Sequence, residues 1–444
     1  MPDRPNIIVI TTHDTGRHFG CYGIETVHTP NIDAMAADGV RLTNYFAASP
    51  ICCAARAAMM TGQHPQTNGQ MDLCFQPFNY DLNDYRTHAS HRFADAGYHS
   101  MLFGMQHETA HVEKLGYHEQ RATDRPMPIA TTIAEAVADY LKSDDASGEK
   151  PFFPQVGFFE THSPFDWRGI EPDDSKGVTV PPYVRDNETA RRVMAQFQGA
   201  VRRVDDAVGI ILQALRDSGL EQNTLVVFTV DHGLEVPRAK WHLYNPGLEV
   251  AMILRWPGGN FTGGHTCDWL LSQVDFLPTV MELAGMDIPS DIEGKSFATG
   301  LRADSNAPPP NSEVFGMMNR SASRCVRNDR YKLIRTFSLG FMGIPGFYLQ
   351  YSDESMNVAY PGGQGHMYDF SKVALYDLET DPLEFDNIAG SESVVDVQKQ
   401  LEDKLWRWME SVNDPLLDGP PRPPYYDDAV GDYHDWQRSR DADG

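Results

Sequence analysis

The run Thr224-Leu225-Val226-Val227-Phe228-Thr229-Val230 stops at Asp231-His232-Gly233, and this junction constrains the fold more than any other feature. Seven uncharged residues, mostly β-branched or aromatic, read as a strand covered on both faces. Such a strand belongs to a mostly parallel sheet flanked by helices, an α/β sandwich. Three further apolar segments end the same way. Ile7-Ile8-Val9-Ile10 leads to Thr11-Thr12-His13-Asp14, Tyr98 to Gly104 stops just before His107, and Pro151 to Phe159 runs into Glu160-Thr161-His162. Ligands of open α/β sheets bind outside the carboxyl ends of the strands. One histidine after a strand is ordinarily a loop residue, but four such endings point to a shared site.

Helical patterns separate the strands. Thr29-Pro30-Asn31 opens a short helix over Ile32 to Ala37, with Pro30 at its entry and Asp38-Gly39 at its end. Val40 to Phe46 reads as a second strand. Thr131 to Lys142 carries Ile133, Ala136, Val137 and Leu141 on one helical face. A long helix is expected over Glu188 to Ser218, with the stripe Val193, Phe197, Val201, Val204, Val208, Leu212 and Leu215 and with Gly219 as cap.

A chain of 444 residues exceeds one simple core. Ala307-Pro308-Pro309-Pro310-Asn311 reads as a linker, so a large domain is expected over 1–306 and a smaller one over 307–444. The second domain should hold a short antiparallel sheet, with strands at Ser312 to Met317, Cys325 to Val326 and Tyr331 to Thr336, and with Lys332 and Arg335 on its polar side. A loop at Pro361-Gly362-Gly363-Gln364-Gly365, a helix over Val394 to Met409 and a surface-wrapped or disordered tail complete it.

The formal charge of −25 argues against nucleic acid, so an anionic substrate needs a local basic pocket. No run of 18 apolar residues occurs, so no membrane-spanning helix is expected. Six scattered cysteines are not a disulfide framework. With a strand beginning at Ile7, no leader is expected, which suggests a cytoplasmic protein unless a leader has been removed. A homo-oligomer stays open.

Cys52-Cys53-Ala54-Ala55-Arg56 begins a helical run to Thr61-Gly62. A cysteine at a helix N-terminus, with an arginine one turn on, suits reaction beside an anion. The alternative is a pair of buried, inert thiols. Asp14, Asp231 and His232, with His13, carry side chains that a divalent cation uses, although aspartates are also common in turns.

At this point the chain resembles the formylglycine-dependent sulfatases of the alkaline phosphatase superfamily. The resemblance rests on Thr29-Pro30-Asn31-Ile32-Asp33, on Ser49-Pro50-Ile51-Cys52-Cys53-Ala54-Ala55-Arg56-Ala57 with Thr61-Gly62-Gln63-His64-Pro65, and on Phe228-Thr229-Val230-Asp231-His232-Gly233. Leu254-Arg255-Trp256-Pro257-Gly258 and Asp275-Phe276-Leu277-Pro278-Thr279 are further matches. Gln66-Thr67-Asn68-Gly69, Ala374-Leu375-Tyr376-Asp377-Leu378 and Leu405-Trp406-Arg407-Trp408 look most like the heparan N-sulfatase (N-sulfoglucosamine sulfohydrolase) branch.

The resemblance implies an alkaline-phosphatase-like sandwich with a large mixed, mostly parallel sheet and a smaller C-terminal α+β subdomain. It implies that a formylglycine-generating maturase oxidises Cys52, and that the hydrated aldehyde attacks sulfur with one hydroxyl and expels sulfate with the other. Arg56 would anchor that diol, His107 would assist it, and His162 and Lys240 would stand at the leaving atom. His13, Asp14, Cys52, Asp231 and His232 would hold one divalent metal. The substrate would be a sulfated saccharide carrying a sulfate ester or sulfamate, as on an amino sugar.

Four positions depart from the family pattern. His13 stands where an aspartate is usual and His232 where asparagine is frequent, which favours Mn2+ or another transition ion over Ca2+. Met105 replaces a sulfate-binding lysine. Ala54 replaces a proline, which leaves a radical-type maturase open. Two rival readings are a phosphodiesterase or phosphonate monoester hydrolase on the same scaffold, and a non-catalytic carbohydrate-binding relative.

Overall fold

A computed structural model describes residues 4–124, 126–302, 305–337 and 371–420, with scattered positions between 422 and 438. The expected loop at 361–365 and most of the tail lie outside the described residues.

Ten strands belong to the first part of the chain: β1 (Asn6–Thr12), β2 (Val40–Leu42), β3 (Tyr45–Phe46), β4 (His99–Gly104), β5 (Glu119–Arg121), β6 (Phe152–Gly157), β7 (Thr224–Val230), β8 (Met252–Arg255), β9 (His265–Cys267) and β10 (Leu271–Ser272). Eight of them form one sheet in the order β5-β4-β6-β1-β7-β8-β2-β9. Only β8 runs against its neighbours. Every residue of β1, β6 and β7 is buried, as a sheet covered on both faces requires. The fold is the mixed, mostly parallel sandwich expected from the sequence.

The long helix spans Glu188–Asp217 and buries all seven residues of its predicted stripe. It packs on the helix Ala130–Leu141, which in turn meets β4. Gly219 follows the helix with φ 74, a conformation that a β-carbon would strain. Pro30 is the first residue of the helix Pro30–Asp38, as its missing N–H permits.

Val40 to Phe46 is not one strand. The chain turns at Thr43-Asn44, where the Asn44 amide donates to Asp268 O at 2.8 Å and Leu271 N donates to Asn44 O at 2.9 Å. β2 stays in the main sheet, while β3 leaves it to pair with β10.

Strands β11 (Val314–Met318), β12 (Ser323–Arg327), β13 (Tyr331–Thr336) and β14 (Val373–Asp377) form the antiparallel sheet. The helix Val395–Ser411 lies on it through Leu401, Leu405, Trp408 and Met409. Lys332 corrects the sequence reading. Its side chain is fully buried, 2.9 Å from Glu384 Oε1 and 3.1 Å from Asn245 Oδ1, and it faces the first part of the chain. Arg335 remains partly exposed, 3.4 Å from Glu402.

Lys332→Met would leave Glu384 as a buried, uncompensated charge and should cost about 3–5 kcal/mol. Arg335→Met removes a surface pair worth about 0–1 kcal/mol. Urea unfolding of the two variants should separate them, and equal midpoints would contradict the assignment.

Candidate active site

Because Thr12 of β1 pairs with Val230 of β7, His13-Asp14 and Asp231-His232 leave the sheet side by side. The fully buried Asp231 carboxylate joins them. Its Oδ1 accepts the Asp14 N–H at 2.9 Å and the His232 N–H at 2.8 Å. Its Oδ2 accepts Arg56 Nε–H at 3.1 Å and lies 2.9 Å from His13 Nδ1. Asp14 is held at φ 44, an uncommon conformation that aspartate tolerates better than most residues. Its Oδ1 is 3.1 Å from His232 Nε2 and its Oδ2 is 2.7 Å from Lys240 Nζ.

Cys52 opens the buried helix Cys52–Thr61, whose N-terminus has no side-chain cap, so its first N–H groups stay free. Arg56 lies one turn later on the same face. Besides Asp231, its guanidinium donates from Nη2 to Thr12 O at 3.1 Å, while Nη1 has no hydrogen-bond partner. The Cys52 sulfur lies within 4.8 Å of ring nitrogens of His13 and His107. A hydrogen bond from Cys53, followed by His107 and His232, holds the Cys52 thiol well below its ordinary value despite burial. Cys53 donates from the other side, its sulfur 3.7 Å from that of Cys74, and burial pushes its thiol up. The two cysteines therefore divide the two readings of the sequence: Cys53 is the buried thiol, and Cys52 faces the ionisable cluster.

Strands β4 and β6 leave the sheet in very close contact, since a β-carbon on Gly157 would lie 1.8 Å from Met105 O. His107 and His162 follow them. The His13 ring stands 5.4 Å from that of His107 and 5.3 Å from that of His162, edge to face in both cases. Met105 is buried at the end of β4. Lys240 lies between Arg238 and Trp241, both at positive φ (70 and 75), and its ammonium is 3.4 Å from His162 Nε2.

Burial opposes charge throughout this cluster, yet the charges persist in pairs. Asp14 stays well below the usual carboxylate range because Lys240, His232 and His162 outweigh its desolvation. Asp231 is likewise lowered by His232, His13 and Arg56. Burial depresses His13, but Asp231 overrides it and raises the imidazole to about 9. The two carboxylates thus draw a proton to a place where a cation would serve the same purpose. Asp14 Oδ1, His13 Nε2 and His232 Nε2 are buried without hydrogen-bond partners. Two carboxylates and two imidazoles with such free atoms fit a divalent ion.

Residues 5–286 match the family model "Sulfatase". The chain belongs to the sulfatase family. A second family model, "N-sulphoglucosamine sulphohydrolase, C-terminal", matches residues 237–340 of this sulfatase. An ulvan-active sulfatase of Formosa agariphila is 28% identical over 448 residues, covering 94% of this chain and 82% of its own. The human N-sulphoglucosamine sulphohydrolase is 25% identical over 467 residues, covering 94% of this chain and 92% of its own. A protein solved in complex with its substrate D-glucosamine-2-N,6-O-disulfate superposes with a TM-score of 0.73 at 19% identity, over 93% of this chain and 99% of that one. Sulfatases of this family generally use a divalent metal and a formylglycine.

All nine site residues expected from the sequence (His13, Asp14, Cys52, Arg56, His107, His162, Asp231, His232 and Lys240) fall in this one cluster. Sequence reasoning missed three supporting groups. Gln273 donates to Asp231 O at 2.7 Å. Glu108 is buried, accepts from Gln155 at 2.7 Å and adds negative charge near Arg56. Glu235, four residues after Asp231, lies 3.3 Å from Lys240 Nζ. In the sequence Glu235 reads as an ordinary loop acid; its one signal is that it shares a short loop with both a metal-type aspartate and a lysine.

Adding a divalent cation at about 100 times its dissociation constant should stabilise the metal-free protein by about 2.7 kcal/mol. Asp231→Asn should weaken that binding at least about tenfold, a loss that outer partners of metal sites already reach. Calorimetric titration and thermal melts in parallel test this; an unchanged affinity in the variant would refute the ligand assignment.

Proposed function

We propose that this protein hydrolyses a sulfate ester or sulfamate on an amino sugar, with a formylglycine derived from Cys52 as nucleophile. The observation that carries the reading is the setting of Cys52: a helix N-terminus, Arg56 one turn on, and His107 and His13 beside the sulfur. Membership of the sulfatase family, the second matching family model and the human relative support an amino-sugar substrate.

Formylglycine at position 52 would supply, as its hydrate, one hydroxyl to attack sulfur and another to expel sulfate. A divalent cation held by His13, Asp14, Asp231 and His232, together with the side chain at 52, would supply Lewis-acid polarisation. Arg56, fixed by Asp231 and Thr12, has its free Nη1 to hold the nucleophile or a sulfuryl oxygen. His107 adjoins position 52 and can take the proton of the attacking group. At the other end of the reacting bond stand His162 and Lys240. As the S–O or S–N bond breaks, its electron pair passes to the leaving oxygen or nitrogen, which takes a proton from this pair. His162 Nδ1 donates to Ser163 O at 2.7 Å, so neutral His162 presents Nε2 to Lys240.

His162→Ala should lower kcat about 10²–10⁴-fold on sulfated amino sugars. Assays with sulfamate, sulfate ester, phosphate mono- and diesters and a phosphonate monoester test the reaction class; faster turnover of the phosphonate would favour the rival hydrolase. Peptide mass spectrometry after co-expression with a radical-type maturase tests Cys52, where an intact thiol in active enzyme would sink the formylglycine role. Two imidazoles in the donor set favour Mn2+ or a later ion over Ca2+. Elemental analysis of active enzyme should find such an ion, and calcium as the sole tightly bound, activity-supporting metal would overturn that choice.

A further inference from the structure

Lys240 has two carboxylate neighbours: Asp14 Oδ2 at 2.7 Å and Glu235 Oε2 at 3.3 Å. If Asp14 holds the cation, as proposed above, its charge is committed there, and the cation itself repels the ammonium. Glu235 is then the carboxylate left to hold Lys240 in place. It is almost fully buried and is oriented independently of Lys240, because Ser163 Oγ donates to its Oε2 at 2.8 Å. That same Ser163 accepts His162 Nδ1–H through its carbonyl, and Glu235 Oε2 lies 3.9 Å from His162 Nδ1. One carboxylate therefore touches Lys240 directly and His162 through the residue that orients its ring. Asp14, His162 and Glu235 also cluster closely enough to resemble a cation site. The Lys240 ammonium already lies against both carboxylates, so this cluster reads as its cradle rather than a second metal site.

We propose that Glu235 is the positioning residue that keeps Lys240 and His162 directed at the leaving atom while Asp14 serves the cation. This inference deepens the sulfatase reading and rests on it. Glu235 does not touch the reacting atoms, so its loss should matter in proportion to how much the leaving group needs a proton.

The test compares wild type, Glu235→Gln and Ser163→Ala on two substrates: N-sulfoglucosamine, whose amine must be protonated to leave, and nitrophenyl sulfate, whose phenolate leaves unaided. Glu235→Gln keeps the shape of the side chain and one acceptor oxygen, enough for the Ser163 bond, but not its charge. It should lower kcat on the sulfamate by about 10²-fold, the lower end of general-acid effects, with KM little changed. On the nitrophenyl ester the loss should be several times smaller. Ser163→Ala should shift kcat in the same leaving-group-dependent sense by a smaller factor. Cation affinity, measured by calorimetry, should be retained in both variants and reports that the site is assembled. Equal losses on both substrates would indicate a merely structural role and overturn the inference, as would full sulfamate activity in Glu235→Gln. Wild-type protein inert towards both substrates would instead overturn the sulfatase reading, and this inference with it.

Discussion

The Asp231 carboxylate is the interaction on which the rest of the site depends. It is fully buried at the end of a central strand, where an uncompensated charge would cost several kcal/mol. Its compensation comes from residues far apart in the chain: the backbone of Asp14, the backbone of His232, the guanidinium of Arg56 and the imidazole of His13. Each of these bonds fixes something else. The Asp14 N–H bond secures the unusual backbone that aims the second carboxylate. The Arg56 bond fixes the cysteine helix in rotation and depth, because residues 52 and 56 share a face. The placement of the proposed nucleophile thus follows from the need to satisfy one buried anion.

The small sheet takes part in building this site. The loop carrying Lys240 is gripped from the C-terminal side: Arg238 donates to Glu384 O and stacks on Tyr244 and Phe385, 3.7 and 4.4 Å from their ring centres. The Glu384 carboxylate accepts Asn245 N–H at 2.5 Å and pairs with Lys332 of β13. Arg320, in the turn between β11 and β12, lies between Phe78 and Trp241 and pairs with Asp72. Removing the sheet would free both ends of the 238–241 turn, whose positive-φ residues persist only under such restraint. The small sheet is therefore coupled to the site through backbone geometry.

How much of this was legible in the sequence depended on whether the decisive partner was near in the chain. β7 and β13 match their predicted limits, and the long helix buries its whole predicted stripe, because periodicity and end residues are local signals. The four strand endings were legible for the same reason, and the parallel sheet does the rest by bringing them to one edge. Lys332 was misread because alternation marks a charged strand residue as solvent-facing, while its partner Glu384 lies beyond β14. Val40 to Phe46 reads as one strand in the sequence because the partners that hold the turn at Asn44, the Asp268 carbonyl and the Leu271 N–H, lie more than 200 residues away. Glu235 was missed because nothing local distinguishes a buried loop acid from a solvated one; only its distance to Lys240 does.

The overall charge of −25 opposes an anionic substrate at long range, and the geometry removes the conflict. At physiological ionic strength charges beyond about 8 Å are largely screened at a protein surface, so capture is decided by the groups lining the pocket. There Arg56 and Lys240 are buried cations, Arg56 paired with Asp231 and Lys240 with Asp14 and Glu235. If Met105 stands where the family has a lysine, as the resemblance implies, the site has one fixed positive group fewer. A divalent cation held by Asp14 and Asp231 would restore more than that charge. Met105 would therefore place more of the anion binding on the proposed metal and would tie substrate affinity to the occupancy of that site.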